Sequence, residues 1–140
     1  MFLDTAVPYP LFMVAHSLIA TFIDTPLQAP LAEDVILEDY GQSMVYHGRS
    51  AVIPILRAYF SDGFPDGRIC VDATFSDSRI IVIAFTFRGR HNGRFLGLPP
   101  TGREVAVPMI LLCHTTDHHI QHIAWYYDAG TLLRQIGLAL

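Results

Sequence analysis

The chain has 140 residues, of which 51% are hydrophobic and 16% charged, and it carries a formal net charge of −4. This length indicates one domain. The nine arginines are scattered along the chain, so the sequence has no basic stripe of the kind that nucleic-acid binding requires. Lysine is absent, which excludes Schiff-base chemistry. The high apolar content predicts an apolar pocket or a face that a second subunit covers.

The first predicted element is an amphipathic helix, because apolar residues recur at three- and four-residue spacing over residues 11–23. This run has no basic residue before it, Asp4 precedes it, and it is too short to span a bilayer. We therefore expect a cytoplasmic protein without membrane contact. In that compartment Cys70 and Cys113 are expected to be free thiols.

The next segment predicts a short hairpin around Gly41 and then a second helix. Ser50 fits the N-cap of that helix, and Pro54 is tolerable if it lies in the first turn. Tyr59 and Phe60 belong to its apolar face. The glycine- and proline-rich residues 61–67 are expected to end it.

The hydrophobic period then changes to two, which predicts long strands that pair as antiparallel neighbours. The predicted strands are residues 69–75, 80–87, 105–113 and 120–127. Pro108 is expected at an edge or a bulge, since it donates no ladder hydrogen bond. Asp128 fits the N-cap of a closing helix that ends at Gly137. The sequence therefore predicts an α+β domain whose curved, mainly antiparallel sheet wraps around the helices and leaves a cone-shaped cavity.

Residues 88–105 carry four glycines and a Pro-Pro pair between two apolar strands. The glycines permit positive φ or close backbone approach, and the prolines stiffen the crossing. We expect a rigid lip at the mouth of the cone, with Phe95 and Leu98 as its apolar lining.

This segment resembles the motif G-x-H-x-G-x-x-x-G-x-P-P-T of the SnoaL-like polyketide cyclases, a family of the NTF2-like superfamily. The matching residues are Gly89, His91, Gly93, Gly97, Pro99, Pro100 and Thr101. The sequences FPD at 64–66 and LRQIG at 133–137 match as well. The resemblance implies one NTF2-like domain over 1–140, a homodimer through the open sheet, and aldol ring closure of a polyketide by a pocket acid/base without a cofactor.

The catalytic groups of the family do not carry over to this chain. The resemblance places the acid/base aspartate of the cyclases at Trp125, their frequent tryptophan at Ala124 and a pocket histidine at Leu111. The usual aspartate is therefore replaced, and another group has to move the proton if the chain is an enzyme.

Four residues are candidates for that role. His122 lies two positions past Ile120 on a strand that the resemblance places along the cavity, although it could equally lie on the surface or on a dimer face. Asp128 could orient a histidine or simply cap the last helix. His91 could act in the pocket or bond the backbone of the lip. Asp39 could belong to a second acid/base set at the cone mouth or be a solvated turn residue.

Aromatic and apolar side chains near these positions are the candidate substrate-binding residues, with ordinary core packing as the alternative. They are Tyr40, Tyr46, His47, Phe87, Phe95, Met109, Leu111, Trp125 and Tyr127. The second acid/base set at the cone mouth, called the mouth set below, would consist of Glu38, Asp39 and Tyr40 with Tyr46 and His47 on the partner strand.

The histidine-rich stretch 114–122 does not predict a metal site. His118 and His122 are four residues apart on a strand, about 13 Å at 3.3 Å per residue. His114 and His119 could meet across the turn, but two histidines without a third ligand make a weak site. We expect no metal and no cofactor.

The resemblance, taken with the candidate acid/base residues, implies a cofactor-free cyclase or isomerase of secondary metabolism that acts on an apolar, polyketide-like substrate. The alternatives are a non-catalytic module that binds an apolar small molecule and a subunit that only builds a dimer. Conformational restraint without acid/base chemistry also remains open. For the enzyme, we predict that activity depends on His122 and Asp128 more than on Asp117, His118 or His119.

Overall fold

The computed structural model describes residues 9–138, with side chains from Ser17 onward. Three α-helices lie in this range: α1 (Tyr9–Asp24), α2 (Arg49–Arg57) and α3 (Ala129–Gln135). Six strands accompany them: β1 (Leu31–Asp39), β2 (Met44–His47), β3 (Arg68–Asp77), β4 (Ile80–Arg90), β5 (Glu104–Thr115) and β6 (Ile120–Tyr127). A 3₁₀ turn spans Pro26–Gln28 and a π-helical turn spans Ala58–Asp62. None of the helices within 9–138 is long and apolar enough to cross a membrane. Asp4 lies outside the described residues.

The strands form one curved, open sheet in the order β2-β1-β6-β5-β4-β3. All neighbours pair antiparallel except β1 and β6, which run parallel. The predicted α+β class with a curved, mainly antiparallel sheet is therefore confirmed. The hairpin around Gly41 is present as β1 and β2.

The two faces of the sheet differ in what covers them. The inner face carries the buried side chains of Leu37, Phe85, Leu111 and Trp125, each at most 1% exposed. The helices pack there, with α1 against β3 and β4, α2 against β1, and α3 against β5. The outer face carries the alternate residues, and none of the three described helices packs on it. One face therefore holds the core, and the other is open.

The second helix departs from the sequence-based expectation at both ends. Gly48, with φ of +90°, precedes the helix, and Ser50 lies inside its first turn, so Ser50 is not the N-cap. Pro54 lies in the second turn rather than the first, where its missing N–H costs a hydrogen bond to a residue one turn earlier. The helix then widens into the π-helical turn, which buries both Tyr59 and Phe60.

Pro108 lies in β5, between β4 and β6, and not at an edge or a bulge as predicted. It is the register partner of Thr86 on one side. On the other side, β6 ends with the pair Met109–Tyr127, so no β6 residue lies opposite Pro108. The missing N–H is tolerated because the ladder has already ended there.

The lip (residues 91–102) folds back over the end of the sheet. Its base is tied by the His91 N–H, which donates to the Arg103 carbonyl at 2.8 Å. Gly93 passes so close to the π-helical turn that an added Cβ would lie 1.7 Å from the Asp62 carbonyl oxygen. The lip is therefore packed on the end of the second helix.

Candidate functional site

An apolar pocket of about 170 Å³ lies between the lip, the π-helical turn and the first turns of α3. Its lining residues are Gln42, Tyr59, Phe95, Leu96, Leu98, Tyr127, Ala129, Leu132 and Leu133. Phe95 and Leu98 thus line the pocket, as predicted for the lip. Most of the wall is apolar, and the polar atoms come from Gln42, Tyr59 and Tyr127.

The polar end of the pocket is a connected hydrogen-bond network. The hydroxyls of Tyr59 and Tyr127 lie 2.6 Å apart. The Tyr127 hydroxyl donates to Asp39 Oδ2 at 3.1 Å. The side-chain amide of Gln42 donates to the hydroxyls of Tyr59 and Tyr127, at 3.3 and 3.2 Å. The Gln42 backbone N–H donates to Asp39 Oδ1 at 3.1 Å. These bonds link the pocket to the Asp39 carboxyl.

The Asp39 carboxyl is the ionisable group of this network that changes charge most easily. Asp39 is 1% exposed, and burial raises its pKa above the ordinary value, against the hydrogen bonds from Tyr127 and from the backbone of Gln42 and Gly41. Burial likewise raises the pKa of Tyr59 and of Tyr127, and the nearby Asp39 charge adds to both shifts. The two phenols therefore stay protonated at neutral pH, while Asp39 can hold or release a proton.

Asp39 takes this position because β1 and β6 run parallel. Its register partner on β6 is Trp125, and Leu111 on β5 is the next residue in the same row. Trp125 is the position at which the sequence resemblance places the cyclase aspartate. A carboxyl is thus present one strand away from that position.

His122 lies on the outer face, which is one of the two placements that the sequence left open, and not in the cavity. Thr115 pairs with Ile120 and His114 with His122, which leaves Gln121 as an extra residue in β6. This bulge reverses the alternation, so that His122 does not share a face with Ile120. The His122 Nε2 atom lies 2.5 Å from Glu38 Oε1.

The predicted mouth set is divided between the two faces. Glu38, Tyr40 and His47 are on the outer face, where the Tyr40 hydroxyl donates to Glu38 Oε2 at 2.7 Å. Hydrogen bonds from Tyr40 and then His122 lower the pKa of Glu38. Tyr46 is on the inner face, where burial and the Asp39 charge raise its pKa. Only Tyr46 of these residues therefore lies on the side of Asp39.

Asp128 and His91 have structural partners. The Asp128 carboxylate caps α3 by accepting from the Gly130 N–H at 3.0 Å and the Thr131 hydroxyl at 2.8 Å, as predicted for an N-cap. These bonds lower its pKa, and it does not contact His122. His91 is fully buried and its Nδ1 lies 3.0 Å from the Thr101 hydroxyl within the lip. Neither residue lines the pocket.

The remaining predicted wall residues form the floor beneath the network. Phe87, Met109, Leu111 and Trp125 are at most 3% exposed and belong to the core. The Trp125 indole N–H points at Met109 Sδ, 3.1 Å away. Of the candidate residues predicted on β6, Tyr127 is the one that lines the pocket.

Within residues 9–138, no three His, Cys, Asp or Glu side chains converge in a way that could hold a metal ion. His114 lies beside His122, with ring centroids 5.5 Å apart, and not beside His119. The rings of His118 and His119 lie edge to face in the turn, with centroids 6.5 Å apart. The histidine-rich stretch is thus spread along the outer face and the turn.

Tyr59 and Gln42 belong to the network but were not among the residues predicted from the sequence. A tyrosine on a buried helix face needs a partner for its hydroxyl, and this requirement was the available signal for Tyr59. Gln42 follows Asp39 by three residues in the hairpin turn, and its role depends on the fold of that turn. Leu96 and Leu133 were not predicted either, because the lip and α3 are far apart in the sequence and come together only in the folded chain.

The sequence model of the family described as SnoaL-like polyketide cyclase matches residues 23–136. No curated protein significantly matches the chain.

Several solved structures share the fold. A candidate SnoaL-like polyketide cyclase from Jannaschia sp. CCS1 superposes with a TM-score of 0.83 at 17% identity, over 99% of this chain and 100% of that one. IdmH, a candidate polyketide cyclase from Streptomyces antibioticus, gives 0.70 at 21% identity, over 89% and 99%. A protein from Catenulispora acidiphila with a ketosteroid isomerase-like fold, in complex with trimethylamine, gives 0.68 at 19% identity, over 95% of both chains. The NTF2-like cone that the sequence motif implied is therefore the fold of this chain.

Proposed function

The chain belongs to the SnoaL-like polyketide cyclase family, and on that basis we propose that it is a cyclase or isomerase that acts on an apolar, polyketide-like carbonyl compound of secondary metabolism. One observation carries the proposal: a buried carboxyl, that of Asp39, is hydrogen-bonded to Tyr127, whose hydroxyl lines an otherwise apolar pocket. A proton acceptor that reaches an apolar site through a phenol suits a reaction that moves a proton on a carbonyl compound.

The proposed reaction begins when a proton leaves the carbon next to the substrate carbonyl. Tyr127 takes this proton as it passes its own to the Asp39 carboxylate, and the C–H electron pair moves to the carbonyl oxygen. When the substrate enters, the Tyr59 hydroxyl and the Gln42 amide turn from Tyr127 to that oxygen and donate hydrogen bonds to it as negative charge develops. Tyr127, Tyr59 and Gln42 are the proposed catalytic residues, and Asp39 holds the proton.

The second half of the reaction returns the proton by the same route. In ring closure, the enolate carbon attacks a second carbonyl, and the new alkoxide oxygen receives the proton from Asp39 through Tyr127. In isomerisation of a β,γ-unsaturated carbonyl compound, the enolate is a conjugated dienolate and its γ-carbon receives the proton, so the double bond shifts by one position. Either route conserves protons and electrons within the site, so the proposed enzyme uses no cofactor.

A non-catalytic binding module is the second candidate. It is favoured by Trp125, which occupies the position that the resemblance assigns to the cyclase aspartate. The two candidates share the pocket and differ in whether Asp39 moves a proton.

The outer face supports a further proposal, that a second copy of the chain covers it. Ile110 and Tyr126 are about two-fifths exposed there, and Tyr40 and Val45 about half exposed. The Tyr40 and Tyr126 rings stack with centroids 4.6 Å apart. An exposed apolar patch of this kind, on which none of the three described helices packs, suits a homodimer in which each subunit covers the other.

The catalytic proposal is tested by deuterium exchange of the methyl hydrogens of acetophenone in D₂O, followed by NMR. We expect the wild-type protein to accelerate exchange over buffer and Tyr127→Phe to lose about 10²-fold or more of that acceleration. Tyr126→Phe is the matched control, because it removes the neighbouring hydroxyl on the outer face, and it should keep the wild-type rate. Binding of acetophenone without any acceleration of exchange would favour the binding module instead.

A further inference from the structure

The apolar pocket has room for about one ring. Its volume is about 170 Å³, and an apolar cavity of about 150 Å³ in a protein interior accepts benzene. Its polar atoms, from Tyr59, Tyr127 and Gln42, belong to uncharged groups that can donate hydrogen bonds. No charged side chain is among the residues that line this pocket. Size and chemistry together suit an uncharged ring that carries a carbonyl oxygen.

The mouth of this pocket is bordered by a residue with an unfavourable backbone conformation. Leu96 has φ of +48° and Gly97 has φ of +86°. They are the two central residues of a tight turn closed by both hydrogen bonds between the backbones of Phe95 and Leu98, at 3.0 and 2.8 Å. Such turns favour asparagine, aspartate or glycine, because the Cβ of other residues crowds the neighbouring carbonyl.

Leu96 differs from the other residues that share its conformation. Within residues 9–138, the non-glycine residues with positive φ are Ser43, Ser78 and Leu96. The two serines are short and polar, and they lie in hairpin turns, where such residues are common. Leu96 is large and apolar, is 48% exposed, and lines the pocket. Unfavourable backbone of this kind concentrates at ligand-binding sites.

The turn is also fixed from outside. The Arg94 guanidinium donates to the Gly97 carbonyl at 2.8 Å. Together with the Phe95–Leu98 hydrogen bonds, this contact keeps the turn in its unfavourable conformation and holds the Leu96 side chain at the mouth. Leu96 therefore narrows the entrance at a cost in backbone energy.

We propose that Leu96 is a specificity-determining residue: it limits the enclosed part of the ligand to a single uncharged ring bearing a carbonyl oxygen that accepts from Tyr59 or Gln42. The inference rests on the proposed function only in taking this pocket as the substrate site. Any larger part of the substrate lies outside the mouth, beyond Leu96.

The test compares the affinities of acetophenone, with one ring, and 2-acetonaphthone, with two. Trp125 is the single tryptophan and its ring centroid lies 4.7 Å from that of Tyr59, so its fluorescence reports binding. We expect the wild-type protein to bind acetophenone about tenfold more tightly than 2-acetonaphthone, and Leu96→Gly to remove most of this preference by binding the larger ketone better. Leu96→Met, which keeps the bulk, should retain the preference.

Ser78→Gly is the matched control, because it relieves the same backbone conformation in the turn between β3 and β4 and should leave the preference unchanged. An unchanged preference in Leu96→Gly would overturn the role of Leu96. Tighter binding of benzyltrimethylammonium than of acetophenone, or no binding of either ketone, would overturn the uncharged-carbonyl class. These outcomes are separate from the deuterium exchange, whose failure alone would leave size selection intact and contradict only the catalytic proposal.

Discussion

The hydroxyls of Tyr59 and Tyr127 lie 2.6 Å apart, although the two residues are 68 positions apart in the chain. One comes from the π-helical turn after α2 and the other from the last residue of β6. Their contact joins the helical layer to the sheet at the polar end of the pocket. The Asp39 carboxyl lies behind this contact and interacts with the pocket through Tyr127.

The pH dependence of activity should reflect the ionisation of the Asp39 carboxyl. The proposed route starts with the carboxylate, and burial raises the Asp39 pKa above its ordinary value of 3.8. The exchange rate should therefore rise with pH through that raised pKa, and Asp39→Asn should lose about 10²-fold at pH 7 together with this rise. His122→Asn is the control, since His122 lies on the outer face. Loss of activity in His122→Asn with a normal Asp39→Asn rate would instead favour the histidine predicted from the sequence.

Stability should respond to pH in the direction set by the same raised pKa. Because the Asp39 pKa is higher in the folded chain than in the unfolded one, its contribution to stability is fully present below the ordinary value of 3.8 and is lost as pH rises through the folded pKa. For each tenfold by which folding weakens a carboxyl as an acid, the free energy of unfolding falls by about 1.4 kcal/mol as pH rises across this range.

Asp39→Asn removes this titration. Urea unfolding at pH 4 and pH 7 should show the free energy of unfolding of the wild type falling relative to that of the variant as pH rises. A relative gain by the wild type over this range would contradict the raised pKa.

Asp128 should matter for stability through its cap. Asp128→Ala removes the bonds to Gly130 and Thr131 and should cost about 1 kcal/mol in the free energy of unfolding. Asp128→Asn keeps an oxygen that can cap the helix and should recover most of that loss. Thermal melts measure both. Deuterium exchange at the wild-type rate is expected in Asp128→Asn, whereas a large loss there would support the catalytic role predicted from the sequence.

The proposed homodimer should depend on the outer face. Ile110→Arg places a charge at the centre of that face and should shift the mass in light scattering, at micromolar concentration, from dimer to monomer. Leu138→Arg is the matched control, because Leu138 is similarly exposed but follows α3 on the other side of the sheet. A monomeric wild-type protein would contradict the proposal outright.

Much of the fold could be predicted from the sequence, because the two-residue period and the glycine-proline motif each identify local structure. The faces on which the β6 side chains lie could not be predicted, since the prediction assumed strict alternation and therefore placed Ile120 and His122 on the same face. The bulge at Gln121 is one residue long and leaves no mark in the apolar pattern, yet it moves His122 to the outer face. Asp39 was found as a mouth residue, but its link to Tyr127 depends on the parallel pairing of two distant strands.

That parallel pairing also bears on how the chain folds. Hairpins such as β1–β2 and β3–β4 join neighbours in sequence and can form early, whereas β1 has to wait for a strand almost at the opposite end of the chain. Asp39 and Tyr127 are 88 positions apart, so closing this contact carries a large loop-entropy cost. We therefore expect the carboxyl–phenol contact on which the proposed chemistry depends to form after the local hairpins. A chain that ends before β6 would lack the Tyr127 hydroxyl and, with it, the proposed proton relay.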